Sequence, residues 1–367
     1  MKKFLQTEIL KRDIPSILKT INGEKIDNKE DWEHVLRPYW KELLIQEEYG
    51  KRPILVSPQI QCIKKDIDFA GKAVWEEVLF TFEYMGKKHS IPTQLIIPKN
   101  IAKCPIFIYL NFRPNIPDRY LPVEEIVDNG FGIFTVCYQD ITSDNRDFSN
   151  GLAGLFENGV REDNSTGKLM YWAYMASRMM DYLQTRSELN SEAVGIVGHS
   201  RLGKTALLAG ALDERFSFVC ANDSGCSGAA LSRGYCVGAE RIEDIYKKFD
   251  YWFCPNYAKY IANEQNMPFD QHCLLALLAP RAVYIGGAIE DIWADNDNQF
   301  LSCVAATEVW KLYGKKGLIS SDRLPVCGDI FTDGEVGFHL RSGKHYHSRT
   351  DWLIYMDAVK KAFKLND

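Results

Sequence analysis

Apolar and polar side chains alternate along Trp75-Glu76-Glu77-Val78-Leu79-Phe80-Thr81-Phe82-Glu83-Tyr84 and again along His89-Ser90-Ile91-Pro92-Thr93-Gln94-Leu95-Ile96-Ile97. That rhythm predicts half-buried strands, and Met85-Gly86-Lys87-Lys88 between them predicts a turn, so residues 60–97 open as an antiparallel pair ended by Pro98. The rhythm then changes. Residues 104–110, 132–138, 194–197, 218–221, 282–286 and 335–340 are short runs rich in apolar residues, mostly of the kind buried on both faces of a parallel sheet. Between them, residues 121–129 (ended by Gly130), 170–183 and 352–363 carry helical spacing. Strands alternating with helices in this way predict an α/β fold with a doubly wound, mostly parallel sheet of the α/β-hydrolase type.

Two segments stand outside the alternation. Residues 1–52 read as an N-terminal helical extension, with Asn28 as a cap and Trp32, Leu36, Tyr39, Trp40, Leu43 and Leu44 recurring as a docking stripe. Residues 53–367 then form the hydrolase domain. Within it, residues 226–269 lose the regular rhythm and gather aromatics such as Trp252, Phe253, Tyr257 and Tyr260. Such an insert builds the substrate face or packs as a surface subdomain.

Composition narrows the partners. The 367 residues are 46% hydrophobic and 25% charged, with a net charge of −5, which argues against nucleic acid. No apolar run approaches the roughly 20 residues of a membrane span, and the start turns charged before an export-signal core develops, so a cytoplasmic location is expected. The ten cysteines are scattered without C-x-x-C pairs, and Cys104, Cys137, Cys220, Cys273 and Cys303 fall inside apolar runs, as reduced buried thiols do. The oligomeric state is left open.

The chemistry centres on Val194-Gly195-Ile196-Val197-Gly198-His199-Ser200-Arg201-Leu202-Gly203-Lys204. A strand that turns into a helix through Gly-x-Ser lifts the hydroxyl to the carboxyl edge of the sheet, the geometry of a nucleophile elbow. The second glycine of that motif is displaced by one position, to Gly203. A serine needs an imidazole to take its proton and a carboxylate to orient the imidazole. Among the seven histidines, His345 follows the turn Ser342-Gly343-Lys344 after the last strand, where this fold places its base, and His347 is its rival. His199 reads as structural, because neighbouring side chains at a sharp turn diverge. Two acids lie at strand ends, Asp223 in Asn222-Asp223-Ser224-Gly225 and Asp291 in Glu290-Asp291-Ile292-Trp293-Ala294-Asp295. No metal-binding motif is present apart from His345-Tyr346-His347, which lacks partner ligands in sequence, and no cofactor is implied.

Ser200-Arg201-Leu202-Gly203-Lys204 resembles the Ser-Arg-x-Gly-Lys signature of the glucuronoyl esterases, carbohydrate esterase family 15. Residues 222–233, Tyr251-Trp252-Phe253-Cys254-Pro255-Asn256, Pro268-Phe269-Asp270-Gln271-His272 and residues 291–295 are similar to segments of its bacterial members, so the likeness runs from about Trp75 to Trp352. The resemblance implies Ser200 as nucleophile and His345 as base. It places Asp223 at the family's common acid position, usually a glutamate, and Asp291 at an alternative one. It implies further that Arg201 holds the oxyanion, that Lys204 and Glu240 bind sugar hydroxyls, and that Trp293 stacks on the sugar. Read without it, Arg201 and Lys204 are surface ion-pair residues and Trp293 is a core anchor. The expected function is a serine esterase acting on an ester of glucuronic acid. A carbohydrate O-deacetylase of the acetyl xylan esterase kind, and a sugar-binding relic of the fold, are the alternatives. Family members are typically exported, so a cytoplasmic chain is expected to meet small uronate esters or acetylated oligosaccharides.

Overall fold

The structure, a computed structural model, describes residues 4–157 and 159–364. Its strands are β1 (Gln59–Asp68), β2 (Ala73–Tyr84), β3 (Lys87–Pro98), β4 (Ile106–Asn111), β5 (Gly132–Cys137), β6 (Val194–His199), β7 (Phe218–Asn222), β8 (Ala282–Ala288), β9 (Ile330–Phe331) and β10 (Val336–Arg341). They form one ten-stranded sheet in the order β1-β2-β3-β5-β4-β6-β7-β8-β10-β9. The six strands from β5 to β10 in that order run parallel, while β1, β2 and β3 at one edge and β9 at the other pair antiparallel. Helices cover both faces. Lys168–Gln184, Arg201–Leu212 and Asn296–Leu312 share one core, and Val123–Asp128 and Arg349–Phe363 share the other. This is the doubly wound sheet of an α/β hydrolase.

The structure adds elements that the apolar pattern does not announce. β1 has every residue exposed, so no buried face imposes alternation on its sequence. The 17-residue helix Asn296–Leu312 buries Asn298, Gln299 and Ser302 as well as Phe300, Leu301, Val309 and Trp310, which blurs its helical period. The turn between β2 and β3 is also tighter than expected, because Lys87 and Lys88 already belong to β3 and leave only Met85 and Gly86 outside the strands.

The N-terminal segment is helical at Phe4–Lys11 and from Lys29 to Tyr49, where α and π turns follow one another. Asn28 caps the second stretch by accepting from the Asp31 N–H. Trp32, Leu36, Trp40 and Leu44 are buried, while Tyr39 and Leu43 lie half-buried against the same core. All ten cysteines are free thiols. Among the described residues, no helix is long and apolar enough to cross a membrane.

Candidate active site

The carboxyl ends of the parallel strands converge on Ser200. Leaving β6, Ser200 takes φ 58°, ψ −129°, a left-handed conformation that costs a non-glycine residue of order 1–3 kcal/mol and is stored where geometry matters. A Cβ on Gly198 would stand 2.0 Å from the Leu202 carbonyl oxygen, so the chain can double back only without one. Gly203 faces Asn222 O and the Ser224 Cβ, each 3.1 Å from where its own Cβ would sit. It therefore gives the close approach of helix to strand that the displaced second glycine of the motif provides. Ser200 N–H bonds Asn222 O at 2.8 Å, locking the elbow to β7. The N–H of Arg201 lies in the first helical turn, where intrahelical partners are lacking.

His345 follows β10 and is the exposed imidazole of the group. Its Nδ1 lies 2.6 Å from Asp291 Oδ2, and its ring centre is 4.5 Å from that of His199, the residue before Ser200. Because a carboxylate oxygen only accepts, Nδ1 carries the proton and Nε2 is left basic. His347, the rival base, is buried, 3.4 Å from Tyr109 OH and stacked on Trp352, and burial lowers its pKa to about 4. It is a core ring. His199 is buried too and pairs with Asn222 Oδ1 at 2.6 Å; burial, then the neighbouring imidazoles, pushes its pKa well down. His339 is bonded to Asp351 at 2.8 Å and His272 to Pro15 O at 2.9 Å, both away from the elbow.

The two acids have different environments. Asp291, after β8, holds His345. Asp223, after β7, accepts at Oδ1 from the Ala288 N–H at 2.9 Å, while its Oδ2 is buried without a hydrogen-bond partner, 3.6 Å from Arg341 Nη2. Ligand atoms of Asp223, Asp291 and His345 all lie within 4.8 Å of one another. Burial, with the Asp291 and Asp351 charges next, raises the Asp223 pKa well above the ordinary carboxylate range. Arg341 ties this corner together. Its Nε bonds both oxygens of Asp351 at 2.9 Å, and its terminal nitrogens bond the carbonyls of Ser342, Lys344 and Tyr346 on either side of His345.

Opposite the base, the Arg201 guanidinium pairs with Asp144 and lies 4.7 Å from the Trp252 ring and 5.1 Å from Phe249. Its Nε is buried without a partner, an arrangement that costs roughly 1–3 kcal/mol unless a ligand oxygen meets it. Lys204 is buried. Its ammonium bonds the carbonyls of Ser224 and Cys226 and lies 3.8 Å from Glu240 Oε2, so it reaches any sugar from a buried position beside that carboxylate. At most one of its three donors remains. Burial raises the Glu240 pKa against the pull of Lys204. Trp293 is 43% exposed, which removes it from the core, and its carbonyl accepts from the Glu240 N–H at 3.0 Å. Lys248 Nζ sits 4.9 Å from its ring centre.

Asp144 and Arg341 were not singled out by any motif. Asp144 sits in the polar run Thr142-Ser143-Asp144-Asn145 beyond β5, and its place at a strand's carboxyl end is the only signal that could have found it.

Comparison with known proteins identifies the family. The family model described as "Glucuronyl esterase, fungi" matches residues 81–314. A glucuronoyl esterase from Solibacter usitatus has a solved structure that superposes with a TM-score of 0.87 at 32% identity, covering 95% of this chain and 97% of that one. The carbohydrate esterase MZ0003, from an unknown prokaryotic organism, is 30% identical over 96% of this chain and 90% of its own. A 4-O-methyl-glucuronoyl methylesterase of Schizophyllum commune is 26% identical over 93% of this chain and 79% of its own. The chain belongs to the glucuronoyl esterase family of carbohydrate esterases.

Proposed function

We propose that this protein is a serine-type carboxylic ester hydrolase that cleaves esters of glucuronic acid carried on small molecules or oligosaccharides. The observation that carries the reading is the 2.6 Å bond between His345 Nδ1 and Asp291, with the His345 ring centre 4.5 Å from that of His199, the residue before a serine held in the elbow conformation. Ser200 Oγ attacks the ester carbonyl carbon and gives its proton to His345 Nε2, while the C=O electron pair moves onto oxygen. The Arg201 guanidinium and the backbone N–H of residue 201 stabilise that oxyanion, with the helix N-terminus behind them. Collapse breaks the bond to the alcohol, which takes the proton from His345 and leaves an acyl-enzyme on Ser200. Water then attacks the acyl carbon, loses a proton to His345, and the second collapse returns that proton to Ser200 Oγ and frees the uronic acid. Asp291 keeps the imidazole in the required tautomer throughout. Glu240 and Trp293 receive the sugar, the first as a hydroxyl acceptor and the second as an exposed ring. Lys204 braces Glu240 from beneath.

The test compares benzyl glucuronate, acetylated xylo-oligosaccharides and p-nitrophenyl acetate as substrates of wild type and Ser200→Ala. Uronate ester hydrolysis that disappears in Ser200→Ala is the expected result. Acetate release from the oligosaccharides without turnover of the uronate ester assigns the protein to the O-deacetylases instead, and turnover of none of them makes the fold a non-catalytic binder.

A further inference from the structure

The carboxylate of Asp144 accepts on both oxygens, and its donors come from three parts of the chain: Tyr138, Arg201 and the neighbours Tyr251 and Trp252. Oδ2 accepts from Arg201 Nη1 and from Tyr138 OH at 2.9 Å. Oδ1 accepts from Trp252 Nε1 at 2.7 Å and shares the Tyr251 hydroxyl proton (3.1 Å) with the backbone carbonyl of Asp144 itself (3.0 Å). The loop that carries Asp144 is itself fixed from below. Buried Lys168 donates to Thr142 Oγ1 at 2.9 Å and to Asp147 O at 2.7 Å, and Trp172 Nε1 bonds Thr142 O at 3.3 Å. The aromatic insert completes the clamp, because Phe249 and Trp252 stack with centroids 4.0 Å apart and the guanidinium rests on both. One edge of Arg201 is thus spent on Asp144, while its Nε N–H stays buried and unpartnered.

We propose that Asp144 is a positioning residue for the esterase reaction: it fixes the Arg201 guanidinium so that a preset N–H edge, rather than a freely rotating cation, meets the oxyanion. This rests on the oxyanion role assigned to Arg201 above. A long arginine side chain left untethered samples many rotamers, and a donor is effective in the transition state only when it needs no reorganisation. Asp144 is suited to the task because its remaining lone pairs are anchored by Tyr138, Tyr251 and Trp252. An asparagine of the same shape would turn an NH2 group toward two of the four donors and lose both bonds.

The experiment measures kcat and KM on benzyl glucuronate for Asp144→Asn, Arg201→Ala and the double variant, with Ser200→Ala as reference and near-UV circular dichroism as the check on folding. Asp144→Asn is expected to lower kcat about 10- to 100-fold, less than the roughly 10²–10³ lost when an oxyanion donor is removed outright, and to leave KM within about twofold. In the Arg201→Ala background the same change is expected to cost no more than about twofold, because Asp144 acts through that arginine. Tyr251→Phe removes one anchor at nearly constant shape and is expected to cost a few-fold in kcat. It carries the decision if Asp144→Asn does not fold. An unchanged kcat, a rise in KM alone, or the same loss with and without Arg201 overturns the proposal. Retained turnover in Ser200→Ala overturns the esterase mechanism itself. An inactive Ser200→Ala and an impaired Arg201→Ala beside a fully active Asp144→Asn overturn only the role of Asp144.

Discussion

Asp223 and Asp291 compete for one imidazole, and the reach of a single side chain decides between them. The left-handed backbone at Asp223 (φ 44°) turns its carboxyl so that Oδ1 meets the Ala288 N–H, and the side chain is one methylene shorter than a glutamate. Asp291 arrives from the next strand with Oδ2 on His345. The low-dielectric corner disfavours two ionised carboxylates side by side, and burial raises the pKa of Asp223, the more deeply buried of the two. Asparagine keeps the shape of Asp223 and removes its charge. Asp223→Asn is therefore expected to keep kcat within about tenfold of wild type, whereas Asp291→Asn, which destroys the tautomer lock, should lose on the order of 10³- to 10⁴-fold. Steady-state kinetics on a uronate ester distinguish the two, and an equal loss in both would mean that the carboxyls act as one unit. Both acids are legible in the sequence because they end apolar runs. The choice is not, since it depends on a backbone φ that no composition encodes. Asp144 and Arg341 are harder still to find, because their importance comes from donors and carbonyls far away in the chain.

The elbow, as an element, is written almost completely in local sequence. An apolar run of strand length, two glycines and an alanine-rich helix leave the chain one way to turn. The same logic explains what the pattern leaves hidden. β1 buries nothing and Asn296–Leu312 buries every residue from Asn298 to Cys303, polar ones included, so neither shows a clear period in its sequence. The two elbow glycines nevertheless differ in what they tolerate. An alanine methyl at 198 would collide with backbone atoms, Leu202 O at 2.0 Å and its carbonyl carbon at 2.4 Å, which cannot move without unwinding the first helical turn. At 203 the nearest atoms are 3.1 Å away, and the helical preference for alanine over glycine, about 1 kcal/mol, offsets most of the crowding. Urea denaturation is expected to show Gly198→Ala destabilised by about 3 kcal/mol or more and Gly203→Ala within about 1 kcal/mol of wild type. Comparable losses at both positions would mean that the turn relaxes more freely than its geometry implies.

At the scale of the whole molecule, the N-terminal segment is joined to the aromatic insert and to the residues that follow it, up to Leu277, by buried polar groups as well as by the Trp32, Leu36, Trp40 and Leu44 stripe. Arg37 Nη2 bonds Leu277 O at 3.0 Å, and Tyr49 OH bonds Ser227 O at 3.2 Å. Glu48 lies at the centre of this junction. It is fully buried, its carbonyl accepts from the Cys254 N–H at 2.9 Å, and its carboxyl oxygens lie 3.1 and 3.2 Å from Gln271 Nε2. Desolvation raises its pKa to about 8, against the hydrogen bonds from Gln271 and Tyr49 that favour the charged form. In the unfolded chain the same group ionises near 4.5. Below that pH both states hold the proton and Glu48 contributes no pH dependence. From 4.5 to about 8 the unfolded state alone gives it up, so folding stability falls as pH rises, and the loss levels off once the folded state ionises as well. Glutamine keeps the neutral shape and removes the titration. Glu48→Gln is therefore expected to match wild type within about 1 kcal/mol at pH 5 and to become the more stable protein by roughly 3–4 kcal/mol at pH 8, read from denaturant midpoints at each pH. A constant difference between the two proteins across that range would show that Glu48 is ionised in the fold, and that this joint is held by charge rather than by a buried neutral acid.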